Sequence, residues 1–123
     1  PKASDAGIQN LSPHCPQQSR SLQLETPLRD ASAGAIMASA FIELSTISPD
    51  EKASARYLDT ARRQLLTLGS DEYLAGPGTN GYFILKHSVG NIPGNGEIDV
   101  ALSYADYYFL EALVRYSKIS RTE

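Results

Sequence analysis

The tetrapeptide Ser48-Pro49-Asp50-Glu51 separates two stretches of helical periodicity and so decides the fold of this chain. A serine, a proline at the first helical position and a glutamate three residues after the serine form a capping box. The acidic side chains also lie at the positive end of the helix dipole. We therefore predict that a helix begins here with Ser48 as its N-cap. It should run to about Leu68 and end at Gly69, with the glycine as a left-handed C-cap.

The helix after this boundary has an apolar side and a charged side, as expected for a helix with one buried face. Its expected buried residues are Ala55, Leu58, Ala61, Leu65 and Leu68. Its expected solvent-facing residues are Lys52, Arg56, Asp59, Arg62 and Arg63. The basic doublet Arg62-Arg63 is therefore interpreted as part of a solvated face.

The chain should become ordered at Pro27, and the helix before the boundary should have Asp30 or Ser32 as its N-cap and run to about Thr46. The expected buried stripe comprises Ala33, Ile36, Met37, Ala40, Phe41, Leu44 and Ile47. Small residues crowd the same segment, namely Ala31, Ser32, Ala33, Gly34, Ala35, Ala38 and Ser39. Because such a surface lets a neighbouring backbone come close, we predict a tightly packed inner helix. The two helices should form an antiparallel hairpin.

Loops and one more helix follow this hairpin. Residues 70–75 could add one helical turn, and residues 76–81 form a breaker-rich loop. Residues 82–87 suit a short strand or an extended edge, and residues 90–96 again consist of turn formers. A last helix is predicted from about Val100 to Ile119. Its apolar positions are Leu102, Ala105, Phe109, Ala112, Leu113, Tyr116 and Ile119.

Composition excludes several classes of protein. The 123 residues are 41% hydrophobic and 20% charged, and the net charge of −3 argues against a nucleic-acid partner. The single cysteine, Cys15, cannot form an internal disulfide, and with His14 and His87 it offers too few ligands for a metal. No apolar run approaches the roughly 18 to 20 residues of a membrane span. Neither a metal, a cofactor nor a membrane is therefore expected, and the compartment stays open between cytoplasm and periplasm.

Three domain regions are expected. Residues 1–26 show no helical or strand period and are interpreted as an irregular or disordered arm. Residues 27–119 form the ordered domain, and residues 120–123 a tail.

Candidate functional residues lie at loops and helix starts, where binding groups are common. They are Arg29-Asp30, Lys86-His87, the segment 91–99, and Tyr104, Asp106 and Tyr107. Tyr104 and Tyr107 could stack on a sugar ring or cover a neighbouring helix, whereas Tyr108 and Phe109 are expected in the core.

Other candidates have plain structural interpretations. Glu97 and Asp99 could be a catalytic carboxylate pair, but solvation or capping of the next helix is the favoured interpretation. His87 could act as a general base, although a structural hydrogen bond is favoured. Ser32 and Ser88 lack the context of a nucleophile elbow. The glycines at 94 and 96 precede acidic residues, which would repel phosphate.

Four ordered motifs resemble a known family. Residues 27–33, Pro-Leu-Arg-Asp-Ala-Ser-Ala, are similar to the helix-initiating Arg-Asp motif of unsaturated glucuronyl hydrolases, family 88 of the glycoside hydrolases. Residues 104–115, Tyr-Ala-Asp-Tyr-Tyr-Phe-Leu-Glu-Ala-Leu-Val-Arg, resemble the family's C-terminal motif. Residues 73–75 and 87–91 stand in the family's order between them. The resemblance covers roughly residues 27 to 119 and implies the C-terminal portion of such an enzyme.

The resemblance implies an all-α fold, a partial six-hairpin α/α barrel with about three long helices and two irregular loops. It implies hydration of the C4=C5 double bond in the terminal unsaturated uronic acid of lyase-generated oligosaccharides, by one aspartic acid and without a metal. That aspartate lies upstream in the family, outside this chain. The implied substrate-binding residues are Arg29, Asp30, His87, Asn91, Tyr104 and Asp106. Asn91, Gly94 and Gly96 replace the serines and lysine with which some members bind sulfate, which argues against sulfate recognition.

Three functions remain open from the sequence: an enzyme fragment that is inactive alone, a non-catalytic helical interaction module, and a truncated gene remnant. In each case helices made for burial in a barrel would expose apolar faces. We therefore expect self-association through these faces.

Overall fold

The computed structural model describes residues 27–121. Three helices account for most of this range, and a two-stranded antiparallel sheet lies between the second and the third. The helices are α1 (Ala31–Ile47), α2 (Glu51–Leu68) and α3 (Ser103–Ser120), and the strands are β1 (Ser88–Asn91) and β2 (Gly96–Val100). A 3-10 turn covers Asn80–Tyr82. None of the helices within residues 27–121 has the length and apolar character needed to cross a bilayer.

The α1–α2 turn confirms the hairpin but shifts its cap. Asp50, and not Ser48, is the N-cap of α2, because its side chain accepts a hydrogen bond from Lys52 N at 2.9 Å. Ser48 instead ends α1, where its N–H donates to Leu44 O at 3.0 Å. Pro49 lies between these two caps, in the connecting turn.

The end of α2 also differs from the prediction. Gly69 has a φ of −81° and its N–H donates to Leu65 O at 2.9 Å, so it is not a left-handed C-cap. The chain continues through a turn in which Tyr73 N and Leu74 N both donate to Ser70 O, at 3.0 and 2.8 Å. This turn matches the additional turn expected for residues 70–75 and removes the need for a left-handed residue.

Helix α1 buries the opposite side from the one predicted. Its buried residues are Ala31, Ser32, Ala35, Ala38, Ser39 and Ile42. The predicted stripe faces solvent, with the partial exception of Phe41, which stacks on Tyr57 of α2 at 5.9 Å. Small side chains let two helices approach α1 closely, as expected for an inner helix. The exposed residues Ala33, Ile36, Met37, Ala40, Leu44 and Ile47 are called the α1 strip below.

Helix α1 packs against both other helices, and α3 runs parallel to it. Ser39 Oγ donates to Glu111 Oε2 at 2.6 Å, and Arg115 Nη1 donates to Glu43 Oε2 at 2.7 Å. From the first link to the second, the contact moves one turn further along both α1 and α3. The two helices therefore run in the same direction. The parallel pair flanked by antiparallel α2 is the arrangement expected for two inner helices and one outer helix of an α/α barrel.

The cores of α2 and α3 largely follow their patterns. Ala61, Leu65 and Leu68 are buried in α2, whereas Ala55 is exposed and Leu58 is half-buried. The α3 residues Ala105, Phe109 and Ala112 and the N-cap Leu102 are buried, but Leu113 is 40% exposed. The doublet Arg62-Arg63 faces solvent as predicted. The three-helix part of the fold prediction is therefore confirmed.

The strands lie later in the chain than predicted. Residues 82–87 contain only an isolated bridge, between Leu74 and Leu85, and a hairpin follows in which Val89 pairs with Ile98. His87 has a φ of +64°, which interrupts the extended backbone and starts β1 at the next residue. The turn of this hairpin covers residues 92–95, whereas residues 90 and 91 of the expected loop belong to β1 and residue 96 begins β2. Because Val100 pairs with Ser88, α3 begins only at Ser103.

The predictions for residues 1–26, including the irregular arm and the pair His14 and Cys15, lie outside the described residues. So does the end of the expected tail.

Candidate functional site

The segment 84–89 connects the beginnings of α1 and α3. At α1, Asp30 Oδ1 caps the helix by accepting from Ser32 N and Ala33 N, at 3.0 and 3.3 Å. The same oxygen accepts from Val89 N at 3.2 Å, and Ala31 N donates to His87 O at 2.9 Å. Of the two N-cap candidates, Asp30 is therefore the cap, and it also fixes the first strand against the helix.

At α3, Asp106 holds the other end of the same segment. Its Oδ2 accepts from Ile84 N at 2.8 Å and its Oδ1 accepts from Leu85 N at 2.9 Å. Asp106 lies in the first turn of α3, where a negative charge is favoured by the helix dipole. The carboxylate thus satisfies two backbone donors that have no strand partner. These two aspartates bring together the sequence motifs at residues 29–30, 87–91 and 104–106.

A row of five side chains runs across the same end of the molecule. Glu72 pairs with Arg29, whose guanidinium carbon lies 5.8 Å from the centre of the Tyr73 ring. His87 meets Tyr73 edge to face at 6.1 Å, and its Nδ1 lies 2.5 Å from Asp99 Oδ1. We call these residues the aromatic row. In it two basic groups flank one aromatic ring, and each basic group contacts a carboxylate.

The favoured structural interpretation of His87 agrees with this geometry, since its ring is engaged by Asp99 and is mostly shielded from solvent. Asp99 does not cap α3, whose N-cap Leu102 has no side-chain hydrogen bond. His87, Glu97 and Asp99 all have φ between +51° and +64°. Left-handed backbone at three residues that are not glycine is uncommon and occurs where the surroundings impose it, often at functional sites.

Asn91 lies at the hairpin turn and Tyr104 in the first turn of α3. Asn91 Oδ1 accepts from Gly94 N at 2.9 Å, which shapes the hairpin turn. Tyr104 is 40% exposed and Tyr107 is 60% exposed, so both rings are available for contact with a ligand. Phe109 is buried and Tyr108 half-buried, as the core interpretation required.

A cavity of about 340 Å³ opens beside the aromatic row, between the beginning of α1 and the end of α2. Asp30, Gly34, Gln64, Thr67 and Tyr73 are among its lining residues. The buried Gln64 Oε1 has no hydrogen-bond partner among the described residues. Ser88 Oγ is likewise buried without a partner among these residues, and Ser88 is not part of the lining. Within residues 27–121 no three or more His, Cys, Asp or Glu side chains are grouped so that they could hold a metal ion.

Sequence reasoning missed two members of the site, Glu72 and Tyr73. Tyr73 was noticed only as part of an ordered motif, and nothing in the sequence paired Glu72 with Arg29, which lies 43 residues away. The signal that could have marked Tyr73 is its place in a short aromatic motif directly after a helix end.

Two parallel inner helices and one antiparallel outer helix define a part of an α/α barrel. No family model matches the sequence. An unsaturated glucuronyl hydrolase of Formosa agariphila is 53% identical over 87 residues, which are 71% of this chain and 21% of that protein. The crystal structure of an unsaturated glucuronyl hydrolase specific for heparin is similar with a TM-score of 0.73 and 55% identity, covering 76% of this chain and 24% of that one.

These similarities confirm the resemblance drawn from the sequence and the partial barrel that it implies. This chain is related to unsaturated glucuronyl hydrolases. It spans about a fifth to a quarter of the length of the relatives that it matches.

Proposed function

We propose that this chain forms one wall of the active site of an unsaturated glucuronyl hydrolase and is inactive alone. The observation that carries the proposal is the shared position of three family motifs. Asp30 and Asp106 tie the starts of two parallel helices to the segment 84–89, so that Arg29, His87 and Tyr104 lie at one end of the molecule. Loops and helix ends at one end of a barrel are the usual place for a carbohydrate site.

The proposed reaction is hydration of a vinyl ether. A proton adds to C4 of the unsaturated uronic acid, and water adds its oxygen to C5 and releases a proton. The hemiketal formed at C5 then opens, and the glycosidic bond to the next sugar breaks. One aspartic acid supplies the first proton and accepts the second, so the side chain is regenerated.

The geometry favours a positioning role for Asp30 and Asp106. Asp106 uses both oxygens for backbone N–H groups, and Asp30 Oδ1 accepts four hydrogen bonds, including one from Ser32 Oγ at 2.6 Å. These hydrogen bonds commit both carboxylates to holding the protein's own helix starts and the segment 84–89 in place. This supports placing the catalytic aspartate outside the described residues.

The remaining candidates are proposed to contact the sugar. Arg29 and His87 would face the uronate carboxylate, because they are basic and stand on either side of Tyr73. The exposed ring of Tyr104 would stack on a sugar and donate its hydroxyl. Asn91, at the hairpin turn, would contact the second sugar.

The test is complementation. The Formosa agariphila enzyme is produced without the 87 residues that this chain matches, and the two proteins are mixed. The loss of double-bond absorbance is followed with unsaturated disaccharides, one sulfated as from heparin and one unsulfated. We expect no turnover by this chain alone and turnover by the mixture. The matched control adds back the relative's own 87-residue segment; if that control is active and this chain is not, the proposal is wrong.

A second candidate is the non-catalytic interaction module, which the exposed α1 strip favours. Under it, the strip would bind a partner, and complementation would give a stable complex without turnover. Size-exclusion chromatography of the same mixtures separates the two functions, because the enzyme-wall proposal requires both a complex and turnover.

A further inference from the structure

We propose that Glu72 determines the affinity of this site for anionic sugars, because it occupies Arg29 with an internal carboxylate that the substrate has to displace. The inference rests on the proposed function only in taking Arg29 as a contact for the uronate. Neither the family motifs nor the sequence pattern pointed to Glu72. It enters the site solely through its contact with Arg29.

The Arg29–Glu72 pair is open to competition from solution. The two side chains are 45% and 58% exposed, so an anion can reach the guanidinium without any rearrangement of the core. A guanidinium binds carboxylates through parallel N–H donors, and the carboxylate of a uronic acid has the same geometry as that of glutamate. The two carboxylates therefore compete for the same donors.

Tyr73 provides a fixed platform on which this exchange can take place. Its N–H donates to Ser70 O at 3.0 Å, and its carbonyl accepts from Lys86 N at 2.8 Å. The guanidinium of Arg29 lies over the ring of Tyr73, and the ring of His87 meets that of Tyr73 edge to face. Because these two hydrogen bonds hold the backbone of Tyr73, its ring stays in place and remains a cation–π partner of Arg29 when Glu72 leaves.

The chemistry of the aromatic row points to an anion and not to a neutral sugar. Arg29 and His87 are basic, and each already contacts an acidic side chain, Glu72 or Asp99. An anionic sugar can replace such a carboxylate, whereas a neutral sugar would leave the charge of the arginine without a partner. Because exposed ion pairs are weak, removing Glu72 should strengthen anion binding only about two- to fivefold.

The experiment uses the full chain and compares three variants by NMR. Glu72→Gln removes the competing charge, and Arg29→Gln removes the proposed contact. Glu43→Gln is the matched control, because Glu43 forms a comparable ion pair with Arg115 more than three turns further along α1 and its loss changes the net charge equally. Each protein is titrated with glucuronate, and with glucose as the neutral probe, while the Arg29 Nε–H and Tyr73 ring signals are followed.

We expect Glu72→Gln to shift the Arg29 and Tyr73 signals before any ligand is added. It should then bind glucuronate about two- to fivefold more tightly than the natural sequence. Glu43→Gln should leave both properties unchanged, Arg29→Gln should bind glucuronate more weakly than the natural sequence, and glucose should show no difference between variants. Added salt should reduce the difference in glucuronate affinity between Glu72→Gln and the natural sequence, because it screens the exposed Arg29–Glu72 pair.

Two results would overturn the inference. The first is a Glu72→Gln variant whose Arg29 and Tyr73 signals match those of the natural sequence, since Glu72 then does not hold the arginine. The second is the absence of a glucuronate gain in this variant. If complementation still yields turnover, either result removes the role of Glu72 and leaves the proposed function intact. If the complementation mixture gives no turnover but Glu72→Gln binds glucuronate more tightly, the proposed function is wrong and the anion site remains.

Discussion

Arg115 of α3 donates through Nη1 to Glu43 of α1 at 2.7 Å and through Nη2 to Glu111 at 3.4 Å. The hydrogen bond to Glu43 is the main reason why the pKa of Arg115 is raised above its ordinary value. Partial burial opposes this effect, and the charge of Glu111 adds to it. A folded-state pKa above the unfolded one means that the stabilisation is fully present at neutral pH and is lost only in strongly alkaline solution.

Replacing Arg115 by leucine should lower the free energy of unfolding by about 1 kcal/mol, because a partly shielded bridge between two helices is lost. Urea denaturation at neutral pH measures the change. Arg63→Leu is the control, since Arg63 pairs with Asp59 within one exposed helix face. Equal losses in the two variants would show that the bridge between α1 and α3 has no special role.

Asp106→Asn should destabilise the protein by about 1–3 kcal/mol, because an amide offers one acceptor where Ile84 N and Leu85 N require two. Hydrogen exchange at these two amides should accelerate more than at Ala61 in α2. Asp59→Asn serves as the exposed control. Unchanged protection at residues 84 and 85 would contradict the role of Asp106 as the anchor of this segment.

The α1 strip should cause the isolated chain to self-associate, because its exposed apolar side chains form one continuous face. Met37→Gln combined with Leu44→Gln should shift sedimentation towards the monomer and change stability by less than about 0.5 kcal/mol, as both residues are already exposed. Leu66→Gln, on the exposed side of α2, is the matched control. A natural chain that stays monomeric at all concentrations would refute this prediction.

Ala35 is fully buried where α1 meets its neighbours. Ala35→Leu should therefore force the helices apart and cost about 1–3 kcal/mol by overpacking. The same exchange at Ala33, which is exposed on the same helix, should be close to neutral. Thermal melting of the two variants compares them directly, and equal melting temperatures would mean that the small-residue face of α1 is not a packing surface.

The sequence by itself determined the helices and the resemblance to unsaturated glucuronyl hydrolases. The turn at residues 48–51, the periodic residues of α2 and the motif at residues 104–115 are local signals, because caps and helical spacing depend on neighbours within a turn or two. They located all three helices to within about three residues. The exact caps at Asp50 and Gly69 depended on how the helices were joined, which local pattern does not encode.

Only the tertiary structure decided which face of α1 is buried. Helical periodicity predicted burial of the large apolar residues of α1, but this helix is apolar on two sides. The side with small residues is the buried one, because it alone permits close approach of α2 and α3. The candidate functional site also depends on tertiary contacts. Arg29 meets Glu72 and Asp106 meets Leu85 across 43 and 21 residues, and such pairs exist only after the helices have packed.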